Sequence, residues 1–206
     1  LRANQRTTNF ISEKLESPKE IVKEDTTTTD NLEKTQTTIV SNPIPDKQQK
    51  FVKIINNAKA RMPDAKNEMA MGAILNDRSK QICALMKASS QTKNITVRNW
   101  IGHVTLVDSN EDGWGRLEIK LDNKLTLVTN STSLGDWGDN TLINPDSILF
   151  KTAMYFSKGD KIKFNGSFFS ESGKKSTCLR LTNFTLKSRI NKPEYLFKFT
   201  KAEKVK

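Results

Sequence analysis

The stretch Ser147 to Phe169, SILFKTAMYFSKGDKIKFNGSFF, changes its hydrophobic period half-way along, and this change limits the folds open to the chain. A short helical pattern runs as far as the Gly159-Asp160 turn. Beyond it Ile162, Phe164 and Phe168 share one side of an extended segment, while Lys161, Lys163 and Asn165 share the other. With strand-like runs both before and after, this unit predicts a small barrel with a helix inserted between its third and fourth strands. The expected class is mainly β with an N-terminal helical segment, an α+β chain.

The 206 residues leave room for one domain and an appendage. A hydrophobic fraction of 35% and a mean hydropathy of −0.61 predict that part of the chain stays unpacked. That part is placed at residues 1–47, where Thr26 to Thr29 and the Pro43 and Pro45 region offer little to bury. A short helix around Phe10 to Glu24 would be interrupted at Pro18. This segment reads as a flexible tether. The chain opens on Leu1 rather than Met, so a removed preceding segment, an anchor or another domain, is the expectation.

Residues 48–90 read as helical. Phe51, Ile54, Ile55, Ala58 and Met62 fall in one stripe, Pro63 ends it, and Asp64 is placed as the next N-cap. Met69, Ala70, Ala73 and Ile74 form a second stripe, and a third short helix from Asp77 carries Ile82, Leu85 and Met86. These positions are assigned to packing on the following domain, residues 91–206.

There the period turns to two. A long strand from Ile95 to Val107 has Ile95 and Val97 on one face and Trp100, Val104 and Leu106 on the other. Gly102, inside it, is the expected place for a bulge or coil. Asp112-Gly113 and Asp122-Asn123 turn the chain into strands holding Leu117 to Leu121 and Leu125 to Leu127. A 17-residue loop, Asn130 to Asp146, carries Trp137. After the organising unit come a Ser172 to Lys175 turn, a strand from Thr177 to Leu186, and a last strand from Glu194 to Thr200 opened by Pro193.

The order strand, strand, strand, helix, strand, strand is that of the oligonucleotide/oligosaccharide-binding fold, the OB-fold. With Trp100-Ile101-Gly102, Gly113-Trp114-Gly115, Gly159-Asp160 before Phe164, Gly166 and Phe168, and Pro193-Glu194 before Phe197 and Phe199, residues from about Ile82 to Thr200 resemble OB-like domains of uncharacterised bacterial proteins. Some of these stand behind a membrane segment or a zinc ribbon. The resemblance implies a five-stranded OB-like barrel and carries no active site. A sandwich or SH3-like barrel is the competing architecture.

Charge narrows the partners. The formal net charge is +11, which favours anionic ligands such as nucleic acid, acidic lipid surfaces or anionic polymers. Its placement is uneven: residues 1–47 hold 7 basic and 8 acidic groups, 48–100 hold 10 and 3, 101–150 hold 3 and 8, and 151–206 hold 14 and 4. Single-strand binding by OB-folds stacks bases on aromatics while cations follow the backbone. The residues assigned to it are Lys161, Lys163, Lys174, Lys175, Arg180, Lys187 and Arg189, with Trp100, Trp114 and Trp137 as platforms. Phe150, Phe156, Phe164, Phe168, Phe184, Phe197 and Phe199 are mostly assigned to the core.

Asp108, Asn110, Asp112 and Gly113 reproduce the opening of a calcium loop, yet the twelfth position is Ile119 and Glu118 stands one place early. A hairpin turn is the simpler reading, with no metal and no cofactor. Catalysis finds little support. His103 is the sole histidine and lies within a strand, and there is no GxxxxGK[ST], GxGxxG or HExxH. A hydrolase built on the Asn130 to Asp146 loop is the least favoured reading. Cys83 and Cys178 are too few for a disulfide scaffold; the default is two buried thiols, and an oxidising compartment would let them pair. Asn94, Asn130, Asn165 and Asn183 fit the NxS/T pattern, and no apolar run reaches the length of a membrane span. The function expected is a non-enzymatic binding module for single-stranded nucleic acid. The rival is a periplasmic interaction or sensor domain tethered to a missing anchor.

Overall fold

The computed structural model describes residues 43–87, 94–171 and 178–205. Most of the tether placed at 1–47 therefore lies outside the described residues, as do Lys174 and Lys175. Among the described residues the chain forms an α+β unit of four α-helices and five strands: α1 (Asp46–Ala60), α2 (Glu68–Met86), β1 (Asn94–Ser109), β2 (Gly115–Asp122), β3 (Leu125–Val128), α3 (Ile148–Ala153), β4 (Lys161–Phe169), α4 (Leu186–Asn191) and β5 (Glu194–Lys204). No helix of the described residues is long and apolar enough to cross a membrane.

The strands form one sheet closed on itself in the order β1-β2-β3-β5-β4. All neighbours are antiparallel except β3 and β5, which run parallel from Thr126↔Glu194 to Val128↔Leu196. Closure depends on β1 serving two partners. Its first part pairs with β4, from Asn94↔Phe169 to His103↔Lys161, and its second with β2, from His103↔Lys120 to Ser109↔Gly115.

This double duty bends β1 and changes its phase. The register slips between Val97 and Trp100, where Asn99 has φ 58°, a left-handed conformation that asparagine tolerates better than most side chains. The slip turns Trp100 and Val104 to the same interior as Ile95 and Val97, all buried, rather than to the opposite face. The bulge thus falls just before Gly102. At Gly102 a Cβ would stand 2.5 Å from Ile119 Cγ2 and 2.8 Å from the Lys120 carbonyl oxygen, so glycine is needed for the close approach of β2. Beside it, buried Gln48 of α1 fills the ladder position that no strand occupies: its amide nitrogen donates to Ile101 O, and Ile101 N donates to Gln48 Oε1 at 2.8 Å.

The two ends of the ring are filled by helices. At one, α1 sends in Phe51, fully buried against Trp100, Phe168 and Tyr195 at ring-centroid distances of 5.4 to 5.5 Å. At the other, Leu149 and Ala153 of α3, with Phe156 after it, join the same core. Ser147 caps α3 by accepting from Phe150 N, and Asn67 caps α2 by accepting from Ala70 N. Helix α2 runs unbroken through Asp77, so the second and third helices expected from the sequence are one. Met62–Asp64 is a short 3₁₀ turn and Asp64 is not a cap.

Three further expectations are corrected here. The segment from 178 to 185 is not a strand: it touches the sheet through the Ser170↔Leu179 and Leu181↔Tyr195 bridges, after which Thr185 caps α4. Leu181 and Leu186 pack instead against Ala58, Ile74, Leu75 and Ile190, a second small core between α1, α2 and α4. Buried Arg78 of α2 crosses this layer to donate to Arg189 O at 2.7 Å. Phe184, assigned to the core, is 96% exposed. The cysteines are not free thiols either: Cys83 of α2 and Cys178 form a disulfide with Cα atoms 5.4 Å apart, closing a sequence separation of 95.

Because Phe51 is the single side chain that joins α1 to three aromatic rings of the sheet, Phe51→Ala is expected to cost about 3–5 kcal/mol. Urea denaturation followed by far-UV circular dichroism would measure it, and a cost below about 1 kcal/mol would contradict the wedge described here.

Candidate ligand-binding rim

Large apolar side chains that stay in water are concentrated at one end of the ring. Of nine exposed large hydrophobics among the described residues, six (Trp114, Leu134, Trp137, Ile148, Met154 and Tyr155) belong to α3 or to the segments adjoining it in space and sequence. The end opposite is covered by α1, α2 and α4. Three of these, Trp114, Leu134 and Trp137, are held on two connections whose local structure is well determined by hydrogen bonds, and the other three stand on α3 or just after it.

The first connection is the β1–β2 turn. Gly113 has φ 80°, and Asn110 closes the turn with both backbone and side chain: Asn110 N donates to Trp114 O at 2.9 Å, and Trp114 N donates to Asn110 Oδ1 at 2.8 Å. Trp114 is left 37% exposed at its exit.

The second is residues 129–147, between β3 and α3. Its centre is Asp136, whose buried carboxylate accepts from Thr141 N, Thr141 Oγ1, Leu142 N and Asn130 Nδ2. Burial opposes the charge of Asp136, but these donors together hold its carboxyl below the ordinary aspartate range. Gly138 and Asn140 are left-handed, with φ 84° and 52°, and carry the chain around the carboxylate. The next residue, Trp137, is thereby 86% exposed on a loop whose backbone is fixed from within.

The connections are joined to each other. Asn110 Nδ2 donates to Ser133 Oγ, and Ser133 Oγ donates to Asp112 Oδ2. Gly115 and Ile143 exchange two backbone bonds of 2.8 Å. Between the two indoles lies an open cleft of about 290 Å³ walled by Trp114, Ser133, Trp137, Gly138, Asn140 and Leu142 over Asp136. A neighbouring groove of about 250 Å³ continues along Val107, Ile143, Phe150 and Met154.

Two arginines of this rim are already engaged. Arg116 makes a two-pronged contact with Asp108, whose hydrogen bonds raise the guanidinium pKa, and Arg180 reaches both carboxylate oxygens of Asp139 at 2.8 and 2.9 Å. Glu111 and Asp112 are exposed and make no ion pair among the described residues. The rim is therefore aromatic and mildly acidic. On the neighbouring outer face of β2, Glu118 has its pKa raised, first by burial and then by the charge of Glu194.

The residues assigned from the sequence to nucleic acid do not gather at this site. Trp100 is 1% exposed in the core between Phe51 and Phe168, which removes it as a platform; the β1 bulge turned it inward. Lys161 and Lys163 stand on the outer side of β4, with Lys163 2.7 Å from Glu203. Arg180 is held by Asp139. Lys187 is exposed on α4, and half-buried Arg189 donates through Nε to Asn183 O at 2.9 Å. Helix α4 precedes β5 and Lys161 bonds the residue after it, so the two groups are separated by the length of β5, on the order of 30 Å. Lys174 and Lys175 lie outside the described residues. Trp114 and Trp137 do share the cleft.

Asp108, Asn110 and Asp112 do not converge as calcium ligands would: Asp108 takes Arg116, Asn110 closes its turn, and Asp112 accepts from Ser133. Among the described residues no group of three or more His, Cys, Asp or Glu is placed to hold a metal. His103 is exposed on β1 and hydrogen-bonds no side chain among the described residues. Leu134, Phe150, Met154 and Tyr155 were missed from the sequence. Their helical or loop setting resembled core packing, and the readable sign was the DWGDN run around Trp137.

No protein-family model matches the chain, and no curated protein matches it in sequence.

Asp136→Asn removes the charge that four donors converge on, so loosening of the loop is expected, seen as faster hydrogen exchange at Thr141 and Leu142. Since the carboxyl is depressed below its ordinary value, its stabilisation is full above the ordinary value and fades as pH falls through the lower, folded one. Exchange that stays unchanged both in Asp136→Asn and in wild type down to pH 2.5, roughly a unit and a half below the ordinary carboxyl value, would contradict this role.

Proposed function

We propose that this chain is a non-enzymatic binding module with an OB-like barrel, and that it takes its ligand at the aromatic rim. The observation that carries the reading is the segregation, among the described residues, of six of nine exposed large hydrophobics to one end of the ring. The strand order β1-β2-β3-β5-β4, with α3 between β3 and β4, supports the OB-like part. In such folds the turn between the first two strands contributes to the binding surface, and that turn here displays Trp114. The non-enzymatic part rests on side chains already occupied: Asp136 is consumed by the loop's own donors, and the pairs Arg116–Asp108 and Arg180–Asp139 are closed. The disulfide supports work in an oxidising compartment, in line with the envelope-side reading.

A second reading, single-stranded nucleic acid, is favoured by a different surface. Lys161, Lys198 and Lys201 are carried on the outer sides of β4 and β5 with Lys163 and Lys204 nearby, and Lys161 and Lys198 make no ion pair among the described residues. Binding there would weaken steeply with salt.

One titration series addresses both. Indole emission is followed while oligothymidylate, heparin, oligolysine and neutral oligosaccharides are added at about 50 mM salt. The rim reading expects at least one to shift the emission and to lose that effect in Trp114→Ala/Trp137→Ala. The nucleic-acid reading expects oligothymidylate binding that disappears in Lys161→Glu/Lys198→Glu. If no polymer binds, both readings fall. For the compartment, protein taken unreduced from its native source and denatured is expected to show no thiol reacting with Ellman's reagent; two thiols per chain would remove that part.

A further inference from the structure

Resting on the rim reading above, we propose that the cleft between Trp114 and Trp137 is a subsite for a neutral oligosaccharide. The two indoles wall the same open space of about 290 Å³, which is room for a flat body to lie against them. A pyranose ring is such a body. It has a face of axial C–H bonds that packs on an aromatic surface and an edge of hydroxyls that both donate and accept. The edge finds matching groups here. The Asn140 side-chain amide is exposed and hydrogen-bonded to nothing among the described residues, and its plane offers two donors and an acceptor. Ser133, whose hydroxyl donates to Asp112, stands on the same wall.

Charge selects against the other polymers. A phosphate or sulfate chain would find no cation among the residues that line the cleft, and the nearby Arg116 and Arg180 are already paired. A folded protein partner fits less well, since the cleft of about 290 Å³ is at the low end for small-molecule sites and suits one stretch of a longer, narrow chain.

The loop is also built in advance. Asp136 fixes the backbone on either side of Trp137 through its hydrogen bonds, and the Asn110–Ser133–Asp112 link fixes the distance between the connections that carry the two indoles. Little ordering is left for the ligand to induce, which is the usual route to useful affinity for a flexible, well-hydrated chain.

The test uses the full chain and neutral hexasaccharides of four backbones (cellohexaose, xylohexaose, maltohexaose and fully acetylated chitohexaose) at millimolar concentration, by calorimetry and indole emission. At least one is expected to bind, with affinity unchanged on raising salt and reduced about tenfold or more in Trp137→Ala and in Trp114→Ala. Trp137→Phe is expected to recover most of the loss. Phe184→Ala, at an exposed site outside the cleft, is expected to leave binding intact. No binding by any of the four, or binding indifferent to both tryptophans, overturns the subsite. If oligolysine, heparin or oligothymidylate quenches these indoles while the neutral sugars do not, the sugar assignment fails and the rim survives; silence from every polymer removes both.

Discussion

The structure depends on β1 hydrogen-bonding to two different strands along its length. A strand that must leave β4 and take up β2 has to coil sharply, and everything unusual about the segment from Val97 to His103 follows from that. The slip at Asn99 turns Trp100 inward, Gly102 lets β2 approach, and Gln48 completes the β1 ladder where β2 does not reach. Closing the ring removes the free edges that a five-stranded open sheet would expose. The same approach of backbones is seen at Gly166, where a Cβ would lie 2.2 Å from the Lys198 carbonyl oxygen.

A closed sheet of five strands encloses a core with two openings, and the chain treats them differently. One is sealed by α1 through Phe51 and backed by α2, α4 and the Cys83–Cys178 link. The other is filled from inside by Leu149 and Ala153 while the connections around it face solvent. Packing is thereby concentrated at one pole and exposed aromatic side chains at the other. That division explains why a loop with an 86% exposed tryptophan is tolerated: its rigidity comes from Asp136 and not from burial of the indole.

The strands and α3 were legible because turn residues separate them. Asp112-Gly113, Asp122-Asn123 and Gly159-Asp160 all stand where the chain reverses, and alternation in β4 placed Ile162, Phe164 and Phe168 inside. What escaped was set by tertiary demands. Nothing local marks Asn99 as the point where β1 changes phase, and a polar Gln48 within an amphipathic helix gives no sign of sealing a sheet. The run from 178 to 185 alternates well enough for a strand, but the ring was already complete and only its two bridges were accommodated. Of the site, the sequence pointed to Trp114, Trp137 and their loop by composition. It also directed attention to lysines because net charge was the strongest global signal, although charge that is spread over two poles does not make one surface.

The disulfide joins α2 to a point just ahead of α4, so β1, β2, β3 and β4 all lie within a single covalent loop and β5 lies outside it. Yet β5 is the strand that sits between β3 and β4. A chain that loses this last strand, through clipping or early release from the ribosome, keeps its other four strands tethered while presenting two raw edges to whatever backbone is near. The commonest such backbone is the β5 of a sibling molecule, which makes exchange of the terminal strand between copies the misassembly this topology must guard against.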